Sequence, residues 1–245
     1  MWRYPVKSMQ GEALDAVQLV ASGLAGDRRY AVQVHDSGLV LSAKREGRLL
    51  MARAATDDPL RISLPSGETL LDLGPATDCA LSSWLGRRVR LIEADCESVP
   101  TFESQIDEAD DASPSVTWQG RPGAFVDSTP VHLLTTASLR AFRAERPDLD
   151  WNVARFRPNL LVEADSDERV EDAWVGRRCR IGDAQLEIIK RCTRCVMVTR
   201  TQPGGIERQL DVLRHLSLVA ESKIGVLARV TEAARVSVGD RLTLQ

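Results

Sequence analysis

Apolar and polar residues alternate in short runs along most of this chain. Arg29 to His35 (RYAVQVH) has the period-two pattern of a half-buried strand. The turn residues Asp36-Ser37-Gly38 then lead into Leu39-Val40-Leu41, which predicts a hairpin. Leu60 to Leu64 and Thr69 to Leu73 flank Pro65-Ser66-Gly67 and predict another. Pro75 opens a helix that Gly86 closes, since proline suits a first turn and glycine the position past the end. Val89 to Ala94, Ala184 to Arg191 (AQLEIIKR) and Cys195 to Arg200 (CVMVTR) read as strands. Thr136 caps a helix that carries Leu139 and Phe142 on one face and stops before Pro147. Ile206, Leu210, Leu213 and Leu216 recur at helical spacing and predict an amphipathic helix over Ile206 to Val219, with the leucines as core. Near the end, Gly239-Asp240 makes a turn between Val236-Ser237-Val238 and Leu242 to Leu244. The segment Glu97 to Gly123 breaks the pattern. It holds the acidic patch Asp107 to Asp111 with several Ser, Pro and Gly residues, and reads as a long surface loop or a domain boundary. Short strands, turns and few helices predict a mainly β (α+β) fold of β-barrel type.

Composition narrows the function. The 245 residues are 43% hydrophobic and 27% charged, an ordinary globular balance, while aromatics at 4% leave the core to Leu, Val, Ile and Ala. The 32 Lys and Arg are scattered among 35 Asp and Glu, net charge −3, so no basic stripe for nucleic acid exists. No apolar run is long enough to span a bilayer. The start, Met1 to Gly11, lacks the apolar stretch of a secretory signal. Five cysteines, an odd number, do not suggest a disulfide framework, and a reduced, cytoplasmic setting is expected.

The densest chemical signal is Lys190-Arg191-Cys192-Thr193-Arg194-Cys195, two cysteines among three cations. Neighbouring positive charge favours a thiolate, and a thiolate is a soft metal ligand. Spacing alone leaves other readings open. The pair could be half of a zinc site, though no second pair completes it. It could be a thioredoxin-type dithiol, though the βαβ setting is missing, or two buried small apolar residues. Arg155-Phe156-Arg157-Pro158-Asn159 precedes an apolar strand, and its arginines could meet a phosphate or carboxylate, or form surface ion pairs. Asn159 could bond a polar ligand or cap a turn. Tyr4-Pro5-Val6-Lys7-Ser8 sets a lysine beside a hydroxyl, and Gly23 to Arg29 is a glycine-bearing turn ending in arginines. The three histidines are isolated: His35 reads as exposed, His132 as a satisfied core residue, and His215 as part of the amphipathic helix. No G-x-S-x-G, H-E-x-x-H or Walker sequence competes.

Taken jointly, five segments resemble the MOSC family, the molybdenum-cofactor sulfurase C-terminal domain, together with its N-terminal β-barrel companion. They are Tyr4 to Ser8, Gly26-Asp27-Arg28, Arg155 to Asn159, Asp172-Ala173-Trp174-Val175-Gly176 and Cys192 to Cys195. Within that family the likeness is greatest to the mitochondrial amidoxime reducing component and its bacterial relatives. The resemblance implies two interlocked β-barrel-like domains with a few short helices, residues 1–98 and 99–245. It implies a molybdenum cofactor (Mo-molybdopterin) whose metal is bound by Cys195. Lys7, Ser8, Arg28, Arg157, Asn159, Thr193 and Arg194 match positions that hold the pterin and its phosphate, and Thr129 falls where the family sets a small polar residue beside the cofactor. Cys192 is then structural or secondary.

The implied activity is two-electron reduction of an N-hydroxylated compound such as an amidoxime, with loss of water. Some bacterial relatives carry a C-terminal iron–sulfur domain. Here no cysteine cluster could hold one, so electrons are expected from a separate ferredoxin- or cytochrome-type protein. No membrane anchor of the kind the mitochondrial relatives carry is expected. A second hypothesis is a sulfur carrier or sulfurtransferase with a persulfide on Cys192 or Cys195. A third is a cofactor chaperone or storage module without turnover.

Overall fold

Six strands make the largest sheet, and their spatial order departs widely from chain order. It runs Leu160–Val162, Val131–Thr135, Lys223–Glu232, Ala184–Thr193, Arg178–Ile181, Leu242–Leu244. Only Val131–Thr135 and Leu160–Val162 are parallel; the other pairs are antiparallel. This computed structural model describes residues 1–56, 59–106 and 113–245. The sheet belongs to unit I, formed by Met1–Trp2, Ala13–Ala25 and Thr129–Gln245; unit II is formed by Arg3–Glu12 and Gly26–Ser128. The fold is mainly β with four short α-helices among the described residues.

In unit I, Val131–Thr135 is buried at every position. Its side chains alternate between two cores, as a strand covered on both faces requires. Val131 and Leu133 join Val17, Leu186, Ile188 and Trp174 on one side. Leu134 joins Phe142, Trp151, Phe156, Val212 and Leu216 on the other. Scarce aromatics are thus concentrated: Phe142 stacks on Trp151 at 5.0 Å, and Trp151 on Phe156 at 6.2 Å. The predicted helix after Thr135 spans Thr136–Glu145, with the Thr135 hydroxyl accepting from Ser138 N at 3.0 Å. The same hydroxyl donates to the buried carboxylate of Glu171 at 2.6 Å, next to the Asp172-to-Gly176 segment whose Trp174 enters the core.

Two expectations fail here. Cys195 to Arg200 is not a strand; Val196–Thr199 form a single 3-10 turn, with the Thr199 hydroxyl donating to Val196 O at 2.8 Å. Burial of Val196 and Val198 overrides their β-branched preference. The last helix begins at Leu210 rather than Ile206, because Ile206 pairs back with Gln202 across Pro203-Gly204-Gly205.

In unit II, Tyr30–Val34 confirms the first predicted strand, but its partner is the distant Val89–Glu93. Val40 makes only an isolated bridge to Gln33, because its N–H donates to Thr101 O instead. The second predicted hairpin forms as Arg61–Ser63 with Thr69–Leu71, and Arg53–Ala55 adds a third strand. The helix Pro75–Leu85 ends at Gly86 in the left-handed region, φ 62°. The stretch read as a loop contains an antiparallel hairpin, Thr101–Gln105 with Ser115–Gln119. Phe102 and Trp118 from it pack at 4.5 Å, and Phe102 joins Ala31, Val40 and Phe125 in the core. Asp107 to Asp111 lie outside the described residues.

Gly225 is one glycine whose identity the packing dictates. Its φ is +75°, and a Cβ there would lie 2.5 Å from His132 Nε2 and 2.6 Å from Leu133 O. Gly225→Ala should therefore cost about 2–4 kcal/mol, combining left-handed strain with overpacking. Urea unfolding checks this; a loss below about 1 kcal/mol would contradict the geometry.

Candidate functional site

Cys195 lies at the mouth of the 3-10 turn, just beyond the long strand Ala184–Thr193, and is half-buried. Thr193 is exposed beside it, and Arg194 is half-buried. Arg194 donates from Nη2 to Phe156 O at 2.9 Å and from Nη1 to Cys192 Sγ at 3.0 Å, while its Nε is buried without a hydrogen bond. Arg157, 6% exposed, has φ 51° and ψ 49° at the end of the Val153–Phe156 turn. Asn159 Oδ1 accepts from His132 N at 3.1 Å and Nδ2 donates to Trp2 O at 3.3 Å. Its amide thus stitches the chain start to the central strands. Thr129 is half-buried at the entry to Val131–Thr135.

Burial alone would raise the Cys192 thiol, but His132 and Arg194 outweigh it and hold the group at about 6. Burial without a cation pushes the Cys179 thiol up to about 11. His132 is buried as expected, yet its Nε2 makes no ordinary hydrogen bond, so the core reading of a satisfied histidine is corrected.

Unit II carries Lys7, Ser8 and Arg28. Lys7 is buried; its ammonium donates to Phe125 O at 3.1 Å, bonds Asp127 and lies 4.4 Å from the centre of the Phe102 ring. Lys44, also buried, stands 3.4 Å from the other Asp127 oxygen. Burial lowers Lys7, Asp127 opposes this, and Lys44 and Arg28 add to the lowering. Burial would raise Asp127, but the two lysines hold its carboxyl well below the usual range. Two ammoniums thus share the half-exposed Asp127 carboxylate. Arg28 pairs with Asp27 and covers the Tyr4 ring at 4.5 Å, while Asp27 accepts from Tyr4 N at 2.8 Å. The Ser8 hydroxyl accepts from Ala43 N at 2.9 Å.

Among the described residues, six non-glycine residues have positive φ: Ser8, Arg28, Asp72, Arg157, Glu221 and Ser222. Three of them are sequence-predicted site residues, and such backbone strain concentrates where function requires a particular direction. Sequence reasoning missed Lys44, Asp127 and His132 as members of these clusters. Asp127 stood two residues before Thr129, but nothing local links Lys44 to Lys7 or His132 to Cys192.

A large half-open β-sheet ending in a cysteine flanked by arginines, with a separate lysine- and arginine-bearing β unit, defines the class. The chain belongs to the MOSC domain family: the MOSC domain model matches residues 120–243, and the MOSC N-terminal beta barrel domain model matches residues 1–107. Among its curated relatives, the chain is 24% identical to mitochondrial amidoxime-reducing component 1 of Homo sapiens, covering 88% of this chain and 69% of that protein. It is 23% identical to mitochondrial amidoxime reducing component 2 of Bos taurus, covering 98% and 80%. It is also 26% identical to a molybdenum cofactor sulfurase of Danio rerio, covering 90% of this chain but 30% of that one. Among the described residues, no helix is long and apolar enough to cross a membrane.

Asn159→Ala should destabilise the chain by about 1–3 kcal/mol, because His132 N–H and Trp2 C=O lose a buried partner. Thermal or urea unfolding measures this; an unchanged midpoint would assign the residue to ligand contact alone.

Proposed function

We propose that this protein is a molybdenum-cofactor oxidoreductase that reduces N-hydroxylated compounds of the amidoxime type, with electrons from a separate ferredoxin- or cytochrome-type protein. The observation that carries the reading is a half-buried cysteine beside Arg194, whose Nε is buried and unbonded. That donor set suits an electron-rich metal and an anionic phosphate: a soft thiolate for the one, guanidinium forks for the other. The names of the amidoxime-reducing relatives point to the substrate class.

Cys195 would bind the metal, while Thr129, Arg157, Asn159, Thr193 and Arg194 would hold the pterin and its phosphate. Lys7, Ser8 and Arg28 would share that task. When bound, the cofactor supplies two-electron oxygen-atom chemistry. The chain's own part is electrostatic. Arginine charge offsets the buried anion, and the strained backbone at Arg157 fixes where its side chain starts. The test is metal and pterin analysis of protein made in a cofactor-competent host. Stoichiometric molybdenum and pterin are expected; their absence would overturn the reading.

The low-lying Cys192 thiol and the relative named a molybdenum cofactor sulfurase favour a second reading, a sulfur carrier with a persulfide on Cys192 or Cys195. Intact-mass analysis after treatment with a persulfide donor tests it. A gain of one sulfur atom at either position supports it, and none sinks it.

A further inference from the structure

Cys192 lies where three strands meet irregularly. Its neighbours Arg191 and Thr193 pair with Val226 and Lys223, so Cys192 alone opposes Ile224 and Gly225. That one-against-two count is a β-bulge, a device that re-aims side chains. His132 stands on the other strand that flanks Lys223–Glu232, paired with Leu227. Between them Gly225 has no side chain, and its absent Cβ is what leaves room for the imidazole, as the 2.5 Å distance to Nε2 shows. The imidazole thus interacts with the thiol across the middle strand. Arg194 Nη1 completes the cluster, 3.0 Å from the sulfur. Both Cys192 and His132 are 6% exposed, and His132 Nε2 has no ordinary hydrogen bond.

We propose that Cys192 is a second reactive thiolate, paired with His132 and clamped by Arg194, and that it is a site of oxidation by small peroxides. A thiolate, not a thiol, is the nucleophile. The charges acting on it are those of His132 and Arg194. On the two paired strands, the nearby Arg191 is engaged by Asp172 and Glu221, and Lys223 by Glu221. At 6% exposure, Cys192 favours a small, neutral electrophile. In the reaction the sulfur attacks one oxygen of hydrogen peroxide, forming an S–O bond as the O–O bond breaks. Sulfur loses two electrons. The departing hydroxide takes a proton from solvent and leaves as water, and the product is a neutral sulfenic acid. Oxidation therefore removes the anion that Arg194 clamps.

The inference does not depend on the molybdenum reading, and its test needs no cofactor. The full chain is pulsed with hydrogen peroxide across about pH 5 to about pH 9, quenched with catalase, unfolded and alkylated. Trypsin cuts after Arg191, Arg194 and Arg200, placing Cys192 and Cys195 on separate peptides. Cys192 oxidation should be half-maximal near pH 6, with a rate at pH 7 about tenfold that of the exposed Cys79 and Cys96. Buried Cys179 should stay inert. His132→Leu and His132→Gln should each move the Cys192 midpoint upward, and Cys195→Ser should leave it in place. A wild-type Cys192 profile matching Cys79, a midpoint unmoved in both His132 variants, or a signal lost with Cys195 would each overturn the proposal.

Discussion

Cys195→Ser should purify without molybdenum and lose reduction of a model amidoxime by about a hundredfold or more, since changes even one shell beyond a metal ligand cost 10–100-fold. The serine hydroxyl stays protonated where a thiol ionises, and it is a hard donor where a soft one is required. The fold should not suffer. Cys195 is half-buried ahead of a 3-10 turn whose backbone bonds do not use its side chain. The variant's urea midpoint should therefore shift by less than about 0.5 kcal/mol. Loss of molybdenum with stability preserved assigns the residue to the metal. Retention of molybdenum with activity intact would remove Cys195 from the centre of the mechanism. Cys192→Ser separates the two thiols: it should change Arg194 placement and peroxide sensitivity more than metal content.

The strands that local pattern could announce were legible. Tyr30–Val34, the Pro65–Gly67 hairpin, the capped helix after Thr135 and the long strand through Cys192 all follow from alternation, turn residues or caps. What stayed hidden depends on pairing at a distance. Val34 N–H does reach Leu39 O across the predicted turn, but the full ladder of Tyr30–Val34 is with the distant Val89–Glu93, and that choice rests on how unit II closes its core. Val196–Thr199 forms a 3-10 turn in which Arg155 holds the Val198 carbonyl and Val198 packs in the aromatic core. For the site, the cysteine–arginine motif was legible because its members are adjacent in sequence. Lys44 with Lys7, and His132 with Cys192, become neighbours only through the fold.

Arg155 carries the second large effect, and through structure rather than chemistry. Its guanidinium is 1% exposed and meets one half-exposed carboxylate, Asp150, 2.9 Å from Nη2. Nε also donates to that carboxylate at 3.1 Å, while Nη1 donates to Val198 O at 3.2 Å and Nη2 to Glu207 O at 2.8 Å. One planar fork thus ties the loop at Asp150, the turn that follows Cys195 and the segment leading to the last helix. Arg155→Met removes the buried charge together with its desolvation cost, but strands two carbonyls, each worth about 1–3 kcal/mol when buried and unbonded. A loss of about 2–4 kcal/mol is expected in urea unfolding. Arg155→Lys keeps the charge and loses the fork, so it should recover little of that loss. If Lys restores full stability, charge rather than geometry is what position 155 supplies. If the Met variant is as stable as the parent, the turn behind Cys195 is held by its own valines alone.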